Sequence, residues 1–138
     1  MRKTSAPTQQ KPSLLKYRFF PFSEYLKGQF PYKVHKIPLH AGFTCPNRDG
    51  RVGVGGCTYC ANESFSPNTR VPYIPIKAQI ENGKAFHKKR YGAEKFIAYF
   101  QSFTNTYAVV ETLRSCYEEA LADKDVVGIS IGTRPDCV

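Results

Sequence analysis

The spacing of apolar side chains divides this chain into short elements that alternate in kind. Val34, Ile37 and Leu39 give Tyr32–Leu39 the apolar content of a strand. Pro38 has no N–H for a ladder, which assigns that strand to a sheet edge or makes Pro38 a strand end. Ile76, Ile80 and Phe86 fall along one side of a helix over Ile76–Tyr91. Gly83 tells against that helix, because an interior glycine costs about 1 kcal/mol relative to alanine. Lys95–Ser102 (KFIAYFQS) is aromatic and β-branched and reads as a second strand. A helix starting at Thr106 or Tyr107 carries Val110, Leu113, Tyr117 and Leu121 as an i, i+3, i+7, i+11 stripe, with Glu118 and Glu119 on its wet side. Val126–Ile131 (VVGISI) is a third strand, of the continuous apolar kind expected in a parallel sheet covered on both faces.

Strand, loop, helix, strand, helix, strand is the order of an α/β protein with a parallel sheet and right-handed crossovers. Ahead of the first strand, Tyr17–Tyr32 is aromatic-rich, with a helical turn expected at Ser23–Lys27. Pro72–Pro75 forms a loop before the first long helix. Residues 1–16 are polar and basic and carry two prolines, so they read as a disordered leader to a domain over 17–138.

Composition narrows the class. The chain has 138 residues, enough for one small domain, and its 41% hydrophobic and 22% charged content is that of an ordinary soluble protein. No apolar run reaches membrane-spanning length, and no apolar segment follows the charged start as a signal peptide would require. The cytoplasm is the expected compartment, where thiols stay reduced and free for metal. The net charge of +9 is uneven, because residues 1–95 hold 17 of the 20 basic side chains and only 5 of the 11 acidic ones. A basic surface of this kind is either solvated or faces a polyanion, with RNA the candidate partner.

The chemistry concentrates in FTCPNRDGRVGVGGCTYCANESF. There Cys45, Cys57 and Cys60 form a C-x11-C-x2-C cluster. Thiolates two residues apart on a tight turn can reach one soft metal centre, and a third can join across a glycine-rich loop. A closed zinc site needs four protein ligands. Here the fourth would come from His35, His40, Cys116 or Cys137, none at a zinc spacing. An odd count of five cysteines disfavours a disulfide framework. An iron–sulfur cluster with one open iron fits three ligands as they stand. A non-enzymatic zinc module with a basic, RNA-facing surface is the alternative.

Parallel α/β folds place their sites at the carboxyl ends of the strands. The first strand runs into Cys45, the second into Gln101–Thr106 and the third into Gly132–Asp136, so the three loops are expected on one rim. Arg134 can fork a carboxylate or tie down its own loop. Cys116 reads as a core residue near its helix's apolar stripe, and Cys137 lies near the rim. His40 is assigned no role, and His35 and His87 are surface or strand residues.

PLHAGFTCPNRDG followed by GGCTYC, then FIAYFQSFTNTYA and VVGISIGTRPDCV, resembles the YhcC-type family of radical S-adenosylmethionine (SAM) proteins. Its core is similar to the radical SAM domain of the Elongator catalytic subunit. The resemblance runs from about Tyr17 to Val138. It implies a 4Fe–4S cluster on Cys45, Cys57 and Cys60, with SAM on the open iron and reductive cleavage to a 5′-deoxyadenosyl radical. It also implies an electron donor of the flavodoxin or ferredoxin type. Tyr59 matches an aromatic position that lies against the adenine, although core packing is an equal reading. Gln101 and Ser102 match positions that contact the SAM amino group, though the usual Gly-Gly-Glu string is absent. Radical SAM folds are partial (β/α)6 barrels, and a full eight-unit barrel takes roughly 250 residues. The chain is therefore expected to be the N-terminal half of such a barrel, truncated after its third strand and incomplete as an enzyme.

Overall fold

The computed structural model describes residues 18–138, so the leader assigned to residues 1–16 and the start of the domain at Tyr17 lie outside the described residues. Helix α1 (Phe22–Gln29) extends the expected helical turn at both ends, and strand β1 (Val34–Leu39) follows it. A short helix α2 (Asn62–Phe65) and a 3₁₀ turn (Pro67–Thr69) end the cysteine loop. Then come α3 (Ile76–Tyr91), β2 (Lys95–Phe100), α4 (Val110–Leu121), β3 (Val126–Ile131) and a last 3₁₀ turn at Pro135–Cys137. The three strands form one parallel sheet in the order β1-β2-β3. No helix among the described residues is long and apolar enough to cross a membrane.

Helices α3 and α4 pack on the same face of the sheet and on each other, α3 over β1 and α4 over β3. Strands in sequential order with both crossover helices on one side have the winding of a (β/α) barrel. A doubly wound sheet would reverse its order and use both faces. Ile37, Leu39, Phe96, Ala98 and Phe100 meet Ile76, Ile80 and Ala120 in the core between sheet and helices. Burying each large side chain there contributes roughly 1.5–3 kcal/mol. The opposite face carries Lys36, whose ammonium lies 4.5 Å from the Tyr99 ring centroid. At the lower end of this face Leu26 of α1 packs with Val34 and Ile97.

Pro38 pairs with Tyr99 on β1, an outer strand of the sheet, where its missing N–H breaks no ladder. Its carbonyl accepts from the Asn68 amide at 2.9 Å, so the 3₁₀ turn covers part of that edge.

Four expectations are corrected by the packing. The stripe on α4 is rotated: Val110 and Leu121 are exposed, and the helix packs through Cys116, Tyr117 and Ala120. Its start is also later than Thr106 or Tyr107. Thr104 N–H donates to the Thr44 carbonyl and Asn105 N–H to the Gly132 carbonyl, so this backbone bonds to neighbouring loops instead of a helix. On α3, Phe86 is 56% exposed while Gln79 is buried between Ile76 and Ile80. Finally, β3 is half-buried beyond Val126, because α4 covers one of its faces and the other meets the small Leu26, Val34 and Ile97 group through Val127.

Gly83 is the reason α3 can lie so close to β1. A Cβ at this position would stand 2.4 Å from Ile37 Cγ2, inside van der Waals contact with a β-branched side chain that has little freedom to turn away. The glycine that weakens the helix locally therefore permits its docking.

At the amino-terminal end of the sheet the links are ionic. Asp125, between α4 and β3, pairs with Lys84 and Lys88 of α3 and with Lys95 of β2, at 2.7, 3.5 and 2.8 Å. Asp123 also pairs with Lys84 at 2.8 Å. Hydrogen bonds from Lys84 and then Lys95 hold the Asp125 carboxyl well below the usual carboxylate range.

Two outcomes follow. Gly83→Ala gains about 1 kcal/mol of helix propensity but overpacks Ile37 at a cost of about 1–3 kcal/mol, so the net effect is destabilising. A denaturant titration showing stabilisation would contradict the close approach. Because the folded pKa of Asp125 is depressed, its contribution is complete above the unfolded carboxylate pKa of about 3.9 and is lost as pH falls below it. Asp125→Asn should lower stability by about 1 kcal/mol at pH 7 and flatten the loss between pH 5 and 2. An unchanged acid profile in thermal melts would remove Asp125 from that role.

Candidate functional site

The cysteine loop is a small folded unit. Pro46–Asp49 turns on the Cys45 carbonyl, which accepts from the N–H groups of Arg48 and Asp49 at 2.8 and 3.2 Å. The chain then runs out and back as a hairpin, closed by an antiparallel bridge between Asp49 and Val54 and by Gly50 N–H to the Gly53 carbonyl at 3.1 Å. Gly56 N–H donates to the Asn47 carbonyl at 2.8 Å, which returns Cys57 to the neighbourhood of Cys45. Gly56 has φ +92°, and a Cβ there would stand 2.8 Å from Arg48 Nε. The open position lets Arg48 cross to the Cys60 carbonyl, to which it donates at 3.1 Å. Cys60 N–H in turn donates to the Cys57 carbonyl at 2.9 Å, the turn that a C-x2-C spacing predicts.

The loops after the three strands converge at the carboxyl end of the sheet. Asn105 ties two of them together, its Nδ2 donating to the Phe100 and Gly132 carbonyls at 3.2 and 2.9 Å. Between the loops lies a cavity of about 500 Å³ lined by Cys45, Cys57, Cys60, Tyr59, Gln101 and Arg134. Asn47 and Asn62 also line it, as do Phe103 and Thr104. Six of the seven residues singled out from the sequence thus share one space. The exception is Ser102, which is buried beneath the loop with its Oγ unpartnered, while Phe103, with φ +66°, lines the wall.

The electrostatics favour thiolate at Cys57. Asn47 Nδ2 donates to its Sγ at 3.0 Å. That bond and one from the Tyr59 hydroxyl lower the thiol's pKa, with Arg134 and Arg48 adding to the effect and burial opposing it. Tyr59 is 87% exposed, which removes the core-packing reading and leaves its ring free beside the cavity. Arg134 is held by Asp136 through two bonds of 2.8 Å, and its guanidinium also bonds Cys45. Its fork is therefore already filled from within its own loop.

Among the described residues no three His, Cys, Asp or Glu side chains stand together as a ready-made site for a single metal ion. The three thiols face one cavity without closing on one point. A tetrahedral zinc ion, with bonds of about 2.3 Å, would draw its sulfurs to within roughly 4 Å of each other. A cube of four irons and four sulfides spreads its thiolates wider, and the donor set of three thiols on a roomy, one-sided cavity suits it.

The other cysteines lie apart from this wall. Cys137 lines an adjoining cleft of about 560 Å³ with Arg51 and Tyr107, and its carbonyl accepts from the Thr106 hydroxyl. Cys116 is half-buried on α4, where burial and then Glu119 push its thiol up to about 11. His35 and His87 stack with Tyr91 between β1 and α3. His40 contributes its backbone, which is bonded on both sides by the carboxamide of Gln79.

Sequence reasoning passed over Asn47, Asn62 and Gln79. For the two asparagines a signal exists: each stands two residues after a cysteine, in C-P-N and in C-A-N.

No family model and no solved structure matches the chain. Among curated proteins, YtqA of Bacillus subtilis (strain 168) is 47% identical over 124 residues, covering 88% of this chain and 38% of its own length. Protein YhcC of Escherichia coli (strain K12) is 42% identical over 113 residues, or 82% of this chain and 35% of its own. MJ0486 of Methanocaldococcus jannaschii is 39% identical over 124 residues, or 88% and 37%. The chain thus spans little more than a third of the length of these relatives. Over that span it is a relative of the YhcC-type proteins.

Proposed function

We propose that this chain carries the cluster-binding part of a radical SAM protein, with Cys45, Cys57 and Cys60 holding a 4Fe–4S cluster and SAM bound beside it. One observation supports the reading above the others. Three cysteines, spread over sixteen residues of sequence, meet Gln101 and Arg134 from two later loops in one cavity at the carboxyl ends of three parallel strands. A structural knuckle would have no need of the other two loops.

Cys45, Cys57 and Cys60 would hold the cluster, which when bound would supply the electron for reductive cleavage of SAM. The protein's own groups prepare that site. Cys57 is biased toward the thiolate that iron requires. The ring of Tyr59, exposed beside the cavity, offers a flat face to a purine. Gln101 brings a neutral amide able both to donate and to accept toward an amino acid group. Arg134 becomes available to a bound carboxylate only by exchanging it for Asp136. The electron comes from a flavodoxin- or ferredoxin-type donor in the cytoplasm.

The zinc alternative needs a fourth protein ligand. The cavity wall carries no histidine and no fourth cysteine, and Asp136 is already paired with Arg134.

Anaerobic purification tests the choice. The reading expects iron and acid-labile sulfide in a brown protein. Stoichiometric zinc in a colourless protein would replace it with the zinc module. Alanine at Cys45, Cys57 or Cys60 should abolish the cluster's absorbance, while Cys116→Ala should keep it. A normal 4Fe–4S spectrum from the Cys57→Ala protein would overturn the ligand assignment.

A further inference from the structure

We propose that Asn47 and Asn62 are positioning residues that deliver amide N–H groups to the sulfurs of Cys57 and Cys60, raising the reduction potential of the cluster they hold. The proposal rests on the cluster reading above and assigns two residues outside its ligand set.

The geometry of Asn47 is direct. Its backbone is fixed in the loop by the bond from Gly56 N–H, and its Nδ2 donates to Cys57 Sγ at 3.0 Å. Asn62 is the matching group on the other member of the C-x2-C pair. It opens α2 two residues after Cys60, is only 6% exposed and lines the cavity. Its Oδ1 lies 3.7 Å from Cys60 Sγ, accepting from the thiol, while its Nδ2 is buried with no partner among the described residues. A buried amide donor without a partner is destabilising.

That donor gains a partner when Cys60 is a thiolate. A thiolate has no proton to give, and a carboxamide is nearly symmetric in shape. Turning the Asn62 amide over presents N–H to the sulfur and converts an orphaned donor into a charge-assisted bond. The metal-binding form thus gives the Asn62 N–H donor a charged partner that the thiol form does not.

The two amides consequently act alike. Each withdraws charge from a ligand sulfur, and this favours the electron-richer, reduced state of an iron–sulfur cluster. Asparagine does so without adding a formal charge to a loop that already carries Arg48 and Arg51. The repeated offset, cysteine plus two in C-P-N and C-A-N, is the sequence trace of this arrangement.

The test uses the chain reconstituted anaerobically with ferrous iron and sulfide. Asn47→Leu and Asn62→Leu remove the donors at similar volume, and Asn47→Gln and Asn62→Gln keep an amide within reach. Iron and sulfide content is measured together with a dye-mediated redox titration followed by electron paramagnetic resonance. Each Leu variant should keep its cluster and show a roughly tenfold lower reduced-to-oxidised ratio at fixed potential, a midpoint about 59 mV more negative. The Gln variants should return most of that shift. Loss of the cluster in the Leu variants with retention in the Gln variants also supports the donor role. A full cluster with an unmoved midpoint in both Leu variants overturns this inference alone. Equal cluster loss in Leu and Gln variants overturns it too, leaving the amides a role in loop shape only. A wild-type chain that takes up no iron or sulfide overturns the cluster reading itself.

Discussion

The rim of this molecule depends on one carboxamide. Gln79, buried on α3, accepts from His40 N–H and from Asn68 at 2.8 and 2.9 Å. It donates to the carbonyls of His40 and Ile74, both at 2.8 Å. Both donors and both acceptor positions of the side chain are used, so no other residue type substitutes without leaving a buried group unpaired. Leucine would offer nothing, and glutamate would point a charge at two carbonyls. The bonds bind the exit of β1 to the helix above it, five residues before Cys45. The cysteine loop therefore leaves the sheet from a fixed point, and the register of the sheet passes into the position of the first sulfur.

Much of the fold was legible because its strands carry their own signals. β2 and β3 are short, apolar and β-branched, and a sheet needs little more than that to be read. Helices α1, α3 and α4 were read as helices, α3 to the residue, but Phe86 on α3 and Val110 and Leu121 on α4 were placed on the buried side and are exposed. Phe86 looked like a core residue by type, yet α3 approaches β1 through Gly83 and Gln79, which carry no apolar signal. The late start of α4 is a non-local effect, since Thr104 and Asn105 commit their N–H groups to loops 60 and 27 residues away. At the site, the cysteines, Gln101 and Arg134 were visible as chemistry at strand ends. Ser102 was not separable from Gln101 by sequence, because the backbone turn at Phe103 decides which of them faces the cavity. Asn47 and Asn62 were passed over because amides beside cysteines look like ordinary turn residues.

The two ends of the sheet are built from different interactions. At the amino-terminal end, Asp123 and Asp125 gather lysines from α3 and β2 into one ionic cluster that joins elements distant in sequence. At the carboxyl end, the loops are joined by neutral amides and hydroxyls, while Arg48 reaches the Cys60 carbonyl and Arg134 pairs with Asp136 of its own loop. Stability and chemistry are thus spatially divided, in the manner of βα folds generally. Acid that loosens the lower cluster acts far from the thiols.

The hairpin between Asp49 and Val54 has its own implication for how such a loop varies. Its ends are joined at Asn47 and Gly56, while Val52 and Val54 project outward and are largely exposed. The contour length between the first and second cysteines is therefore decoupled from the distance between their sulfurs. The tip is folded back on the residue after Cys45, since the N–H groups of Val52 and Gly53 donate to the Pro46 carbonyl at 2.9 and 3.2 Å. The spacer is best regarded as a closed lobe anchored on Pro46 and Asn47, whose outward valines are the positions free to change without disturbing the centre beneath them.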